Sequence, residues 1–165
     1  VLRITVRVLR SRADILAVIS AGGALGSLAR WGLTVAWPVR QGGFAWATLL
    51  ANVSGALLLG VLMVFVLEVW PPSRYARPFF GVGVLGGYTT FSTAMLDTRA
   101  LLVAGYRAQA VGYLFGGLLA GLLAVWLGMA AARALVVVAR LRATRRRDAA
   151  AEAATLRSRQ RGEGQ

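Results

Sequence analysis

The sequence contains no cysteine and no histidine, and every one of its 19 basic residues is arginine. These absences exclude disulfides, thiol nucleophiles, imidazole bases and most zinc sites. Without lysine there is no phosphate loop of the usual kind, and no dinucleotide glycine fingerprint follows a strand pattern. Acidic residues number only six. Asp97 and a nearby hydroxyl could in principle serve an intramembrane enzyme, but two groups do not make a mechanism, and no enzymatic activity is expected.

Apolar residues are what the chain has in excess. Of 165 residues 58% are hydrophobic and 15% charged, 20 are glycine, and the mean hydropathy is +0.65. Such values describe an integral membrane protein with several spans. The net charge of +13 resides in arginines at the two ends and in short connections. That distribution suits the flanks of membrane segments lying against lipid headgroups, and no nucleic-acid partner is expected.

Hydropathy divides the chain into a basic N-terminal flank (1–12), a four-helix transmembrane domain (13–138) and a basic, partly disordered cytoplasmic tail (139–165) in which a short helix can continue before fraying. The flank alternates apolar residues with Arg3, Arg7, Arg10 and Arg12. It fits a headgroup-bound segment, a short strand or an amphipathic turn. A cleavable signal peptide is the competing reading, but the following apolar run is too long and glycine-rich and lacks a small-x-small cleavage site.

The first span (13–37) carries Gly22-x-x-x-Gly26 with Ala21 and Ser27, a small face for close helix contact. Its Arg30 either snorkels to the headgroups beside Trp31 and Trp37 or anchors a polar vestibule for an anion. The second span (44–69) has Trp46 and Trp70 as interfacial markers. It contains Asn52, whose amide either joins helices or offers its NH2 group to an anion. Glu68 near its end reads as an interfacial charge. The fourth span (108–138) has small faces at Gly112-x-x-x-Gly116 and Gly117-x-x-x-Gly121. Its Tyr113 either anchors at the interface or turns its hydroxyl to a polar track. The small faces of spans one and four are expected to serve dimerisation, because four helices alone scarcely enclose a sealed pathway.

The third span (79–104) contains the stretch that sets the chain apart, GVGVLGGYTTFSTAMLD at 81–97. A plain membrane helix needs neither the pair Gly86 and Gly87 nor the hydroxyl run Thr89, Thr90, Ser92 and Thr93. The glycines either pack helices closely or loosen this one, and backbone freed at membrane depth must be satisfied by protein, ion or water. Asp97 caps or pairs locally, or shapes the field at one mouth of a pathway.

GGALGSLARW (22–31), LLANVSGALLLG (49–60) and GVLGGYTTFSTAMLD (83–97) together resemble the small bacterial fluoride channels of the camphor-resistance, or Fluc, family, from about residue 13 to 128. The resemblance implies an all-α integral membrane fold of four helices, broken in the third and assembled as an antiparallel, dual-topology-type dimer. It further implies passive export of cytoplasmic fluoride across the bacterial plasma membrane, conferring fluoride resistance, and a structural sodium ion at the dimer centre. By position, Asn52 resembles the pore asparagine and Phe91 the first phenylalanine of an aromatic box. Ser92 and Thr93 resemble part of the hydroxyl track, and Tyr113 the tyrosine of the fourth helix. Arg30 matches the vestibule arginine, and the carbonyls of Gly86 and Thr89 resemble those that hold sodium. Compact donors of this kind suit an anion as strongly hydrated as fluoride.

The chain departs from that pattern at Ala94, where the family has a second phenylalanine, at Met95 for a common serine, and at Asp97 for glutamate. Its arginines also favour one orientation with cytoplasmic termini, since Arg74 and Arg77 share a side with both ends. An antiparallel homodimer needs both orientations, so a heterodimer with an oppositely inserted relative is equally implied. The alternative function is therefore a non-conducting or partly degenerate subunit of a heterodimeric fluoride channel. A four-helix multidrug exporter is a remoter rival, because Asp14 is the only carboxylate in the first span and lies at its edge.

Overall fold

The computed structural model describes residues 12–39, 43–69 and 73–162. The flank before Arg12, the connection residues Arg40, Gln41 and Gly42, and Trp70, Pro71 and Pro72 lie outside the described residues. Four helical segments are long and apolar enough to cross a membrane, and the described residues contain no strand. They are α1 (Ala13–Ala36), α2 (Trp46–Val69), α3 (Arg77–Val103) and α4 (Arg107–Gly162), the apolar part of the last being Arg107–Arg145. The 24 residues of α1 span roughly 36 Å at 1.5 Å per residue, enough for the apolar layer. The fourth helix continues through the basic region as far as Gly162.

Large apolar side chains, among them Leu25, Leu28, Leu118, Leu122 and Trp126, point away from the bundle. In lipid this costs nothing, but it leaves little hydrophobic drive to hold helix against helix, so contact depends on close backbone approach. Glycine supplies it at two seams. Along α1 and α3, a Cβ on Gly22 would meet the Phe79 carbonyl oxygen at 2.5 Å, and one on Gly83 would meet the Ile19 carbonyl oxygen at 2.8 Å. Along α2 and α4, Gly60 lies against the Val125 carbonyl and Gly128 against that of Leu57. The Gly22–Gly26 face expected to serve dimerisation is thus consumed within the subunit, whereas a Cβ on Gly112, Gly116 or Gly121 would meet nothing within 4 Å.

The helix ends are tied by polar groups. At one end Asp14 pairs with Arg74 at 3.0 Å and accepts the Tyr75 hydroxyl at 2.8 Å, which holds that phenol above its ordinary pKa. Glu68 pairs with Arg133 at 3.0 Å, while Arg140 and Arg77 donate to the Glu68 and Val66 carbonyls at the π-helical end of α2, Phe65–Val69. Pro78 falls in the first turn of α3, where a missing N–H is harmless. At the other end α3 closes in a Schellman turn. Gly105 takes φ +86°, its N–H reaches the Leu102 carbonyl, and Tyr106 N–H reaches that of Leu101.

These contacts distinguish two kinds of glycine. Gly26→Ala should destabilise the protein by about 1–3 kcal/mol, because the added carbon meets Tyr88 backbone nitrogen at 2.8 Å. Gly112→Ala, in open space within a helix, should be neutral or stabilising by up to about 1 kcal/mol. Thermal unfolding of the two purified variants in one detergent compares them.

Candidate functional site

The third helix changes character at mid-span. Its first part is π-helical over Arg77–Leu85, followed by one α turn, Gly86–Tyr88. Thr89 (φ −86°, ψ 157°) and Thr90 (φ −152°, ψ 124°) are extended, and a regular helix resumes at Phe91–Val103. Gly86 itself stays helical at φ −65° and ψ −36°. The extended residues are the threonines, whose β-branching suits that backbone. Gly87 serves a different need: a Cβ there would collide with the Gly23 carbonyl of α1.

Two extended residues divert several helical hydrogen bonds, and every diverted group must find a partner. Thr90 N–H, which an unbroken helix would direct to the Gly86 carbonyl, goes to Asn52 Oδ1 at 2.8 Å. Asn52 Nδ2 donates back to the Thr90 carbonyl at 2.9 Å. Thr93 N–H, the helical donor for the Thr89 carbonyl, goes to Thr90 Oγ1 at 3.2 Å, so Thr90 is the N-cap of the resumed helix. The Gly87 carbonyl accepts from Arg30 Nε at 3.1 Å and from Ser27 Oγ at 3.5 Å. Tyr88 and Ser54 share a hydroxyl hydrogen bond of 2.9 Å beside Gly55.

The residues singled out from sequence fall into three groups. Asn52, Phe91 and Tyr113 line one cavity of about 340 Å³, together with Ala94, Thr98, Gly117 and Gly121. On the other side of Asn52, Gly86 and Thr89 line a second recess of about 340 Å³ with Gly55. Ser92 and Thr93 gather on Thr90, with Oγ–Oγ distances of 3.3 and 3.0 Å, and line neither space. Arg30 stands apart on α1, half-buried and turned to the unwound turn. Phe91 is 77% exposed on the outer face of the subunit, whereas Tyr113 is 3% exposed.

Tyr113 is buried within the bundle. Its ring meets that of Phe44 edge-on at 5.0 Å, and its hydroxyl reaches Asp97 Oδ2 at 3.2 Å and the Ala45 carbonyl at 3.4 Å. Asp97 therefore pairs across helices and not locally, and it also lines an open cleft of about 580 Å³ at the Gly105 end of the bundle. Sequence reading missed Thr90 as a cap, though a threonine placed before an apolar helical run signals one. It had no signal for Ser54 with Tyr88, or for Ser27 on Gly87.

Electrostatically the turn has two faces. The resumed helix starts at Phe91 and presents its positive dipole end inside the apolar layer, a favourable place for an anion. Before it, the Gly86, Tyr88 and Thr89 carbonyls have lost their helical donors, and carbonyl oxygens are ligands that suit a hard cation. One Asn52 N–H is committed to Thr90, and the amide carries a second.

Asn52→Leu should therefore leave the Thr90 N–H and C=O without partners in a dry setting, at about 1–3 kcal/mol for each orphaned group. The checking measurement is a lowered unfolding temperature of purified protein, with subunit assembly followed by size-exclusion chromatography.

The model of the family described as CrcB-like protein, camphor resistance (CrcB), matches residues 17–129. The fluoride-specific ion channel FluC 3 of Streptomyces avermitilis is 51% identical over 124 residues, covering 75% of this chain and 61% of that protein. FluC 2 of Nocardia farcinica is 51% identical over 119 residues, 72% of this chain and 85% of its own length. The FluC channel of Rhizobium meliloti is 41% identical over 121 residues, 72% of this chain and 96% of its own. The family match reaches from α1 into α4 and takes in the unwound turn, so this chain belongs to the CrcB family and is a multi-pass bacterial membrane protein.

Proposed function

We propose that the chain is a subunit of a fluoride-selective channel that lets cytoplasmic fluoride leave the cell passively. The observation that carries this is the unwound turn at Thr89 and Thr90, where a helix N-terminus, the Asn52 amide and the Phe91 ring border one space. The names of the relatives, all fluoride-specific channels, support it. Fluoride stripped of water needs compact donors, and the second Asn52 N–H and the positive edge of Phe91 supply them along the cavity, while the Tyr113 hydroxyl is turned to Asp97 and the Ala45 carbonyl. Ser92 and Thr93 extend the hydroxyl set around Thr90. Several modest sites in series allow the ion to leave as readily as it enters.

The pathway is completed in this reading by a second subunit packed in the opposite sense. The exposed Phe91 ring and the open Gly112, Gly116 and Gly121 positions supply uncovered surface for it. The Gly86 and Thr89 carbonyls are the residues that would hold a structural sodium ion, and their diverted helical donors fit that group. Sodium there would neutralise carbonyl dipoles that otherwise face a low-dielectric setting.

A second reading, a non-conducting partner in a heterodimer, is favoured by the walls of the cavity. Below Tyr113 the fourth helix continues with Gly117 and Gly121, and Ala94 contributes no ring, so few polar atoms face the space. Fluoride efflux from liposomes containing only this protein, in sodium and with chloride as control, separates the two. Rapid fluoride-selective efflux is the expected outcome for a self-sufficient channel. Silence from folded protein, relieved by adding a related subunit, is the outcome for the partner role.

A further inference from the structure

Arg30 has no obvious reason to be where it is. It lies roughly 9 Å short of the end of α1, and its Nε is bound inward, to the Gly87 carbonyl at 3.1 Å. Gly23, Gly26, Ser27 and Arg30 recur at helical spacing and form one face. The whole face is turned to the unwound segment. Gly23 abuts Gly87, Gly26 abuts Val84 and Tyr88, and Ser27 Oγ and Arg30 Nε converge on one oxygen.

That oxygen matters because of its neighbours in the chain. In an unbroken helix the Gly87 carbonyl would accept from Phe91 N–H, but the extension at Thr89 and Thr90 separates the two. Four carbonyls near the turn thus lose their ordinary donors: Gly86, Gly87, Tyr88 and Thr89. Protein donors are bound to that of Gly87. A cation already seated there disfavours a second cation at that oxygen and leaves the other freed carbonyls for it.

We propose that Arg30 is a positioning residue for the unwound turn, holding the Gly87 carbonyl against α1 and out of the set of freed carbonyls, Gly86 and Thr89 among them, that remain to bind a cation. The holding action stands on the geometry alone; the part concerning the cation rests on the channel reading above. It differs from a vestibule role, in which the positive charge attracts an anion and the atom that bears the donor is immaterial.

Glutamine carries its amide nitrogen at the same distance along the side chain as arginine Nε, without the charge. Lysine keeps the charge but places its donor one atom further out, and methionine has neither. Hydrogen–deuterium exchange of the segment 86–93 in nanodisc-embedded protein is the first readout. Arg30→Met should speed exchange there about 10- to 100-fold, as loss of a charge-assisted hydrogen bond implies. Arg30→Gln should stay within a few-fold of the wild type, and Arg30→Lys should exchange faster than Arg30→Gln. Protection kept by lysine and lost by glutamine, or unchanged in all variants, would overturn the proposal. If Arg30→Met does not fold, the order of glutamine and lysine still decides. In liposomes, the sodium concentration that half-activates fluoride efflux should rise about tenfold with lysine relative to glutamine; equal values overturn the cation part. A wild type without efflux or without sodium dependence refutes the channel or sodium reading and that cation part, while exchange still judges the holding action.

Discussion

Backbone freed inside an apolar layer must be satisfied from within the protein, and the pair of hydrogen bonds between Asn52 and Thr90 is how this one meets that constraint. A single side-chain amide supplies both the acceptor for the Thr90 N–H and the donor for its carbonyl. Neither backbone group then has cause to rewind the helix. With Thr90 held, its hydroxyl is free to cap the helix that resumes at Phe91, and the positive end of that helix comes to rest at mid-span.

The remaining packing serves this turn. Two glycine seams, α1 on α3 and α2 on α4, bring backbones close enough for short polar side chains to reach across. Asn52 bridges the seams from α2, while Ser27 and Arg30 work from α1. Arginine caps and two ion pairs fix one end, and a Schellman turn fixes the other, so the register of each helix against the turn is set from both directions.

The chemistry on the two sides of Asn52 differs. Toward Phe91 there are the Asn52 amide, a helix N-terminus and a positive ring edge; toward Gly86 and Thr89 there are carbonyls short of their donors. One break in one helix therefore creates places of opposite polarity, with the anion path and the structural cation proposed for each. The walls of the anion side carry few polar atoms. Ala94 offers no ring and Gly117 and Gly121 leave smooth helix surface, so the donor nearest the space is the Asn52 amide.

The number of spans, the limits of the first three to within a few residues and the membrane setting were determined by sequence, because a stretch of about twenty apolar residues has few other fates; the end of the fourth was not, since its helix runs on to Gly162. The weight of the 81–97 stretch was legible for the same kind of reason, as glycines and hydroxyls stand out against an apolar background. The partners of those groups were not. That Gly22 and Gly26 meet α3 and not another subunit, that the extension falls on Thr89 and Thr90 and not on the glycine pair, and that Asp97 meets Tyr113 were decided only by tertiary structure. A small residue marks that something comes close, but carries no information about what. An amide or guanidinium commits to a partner only when folding has left one carbonyl within reach.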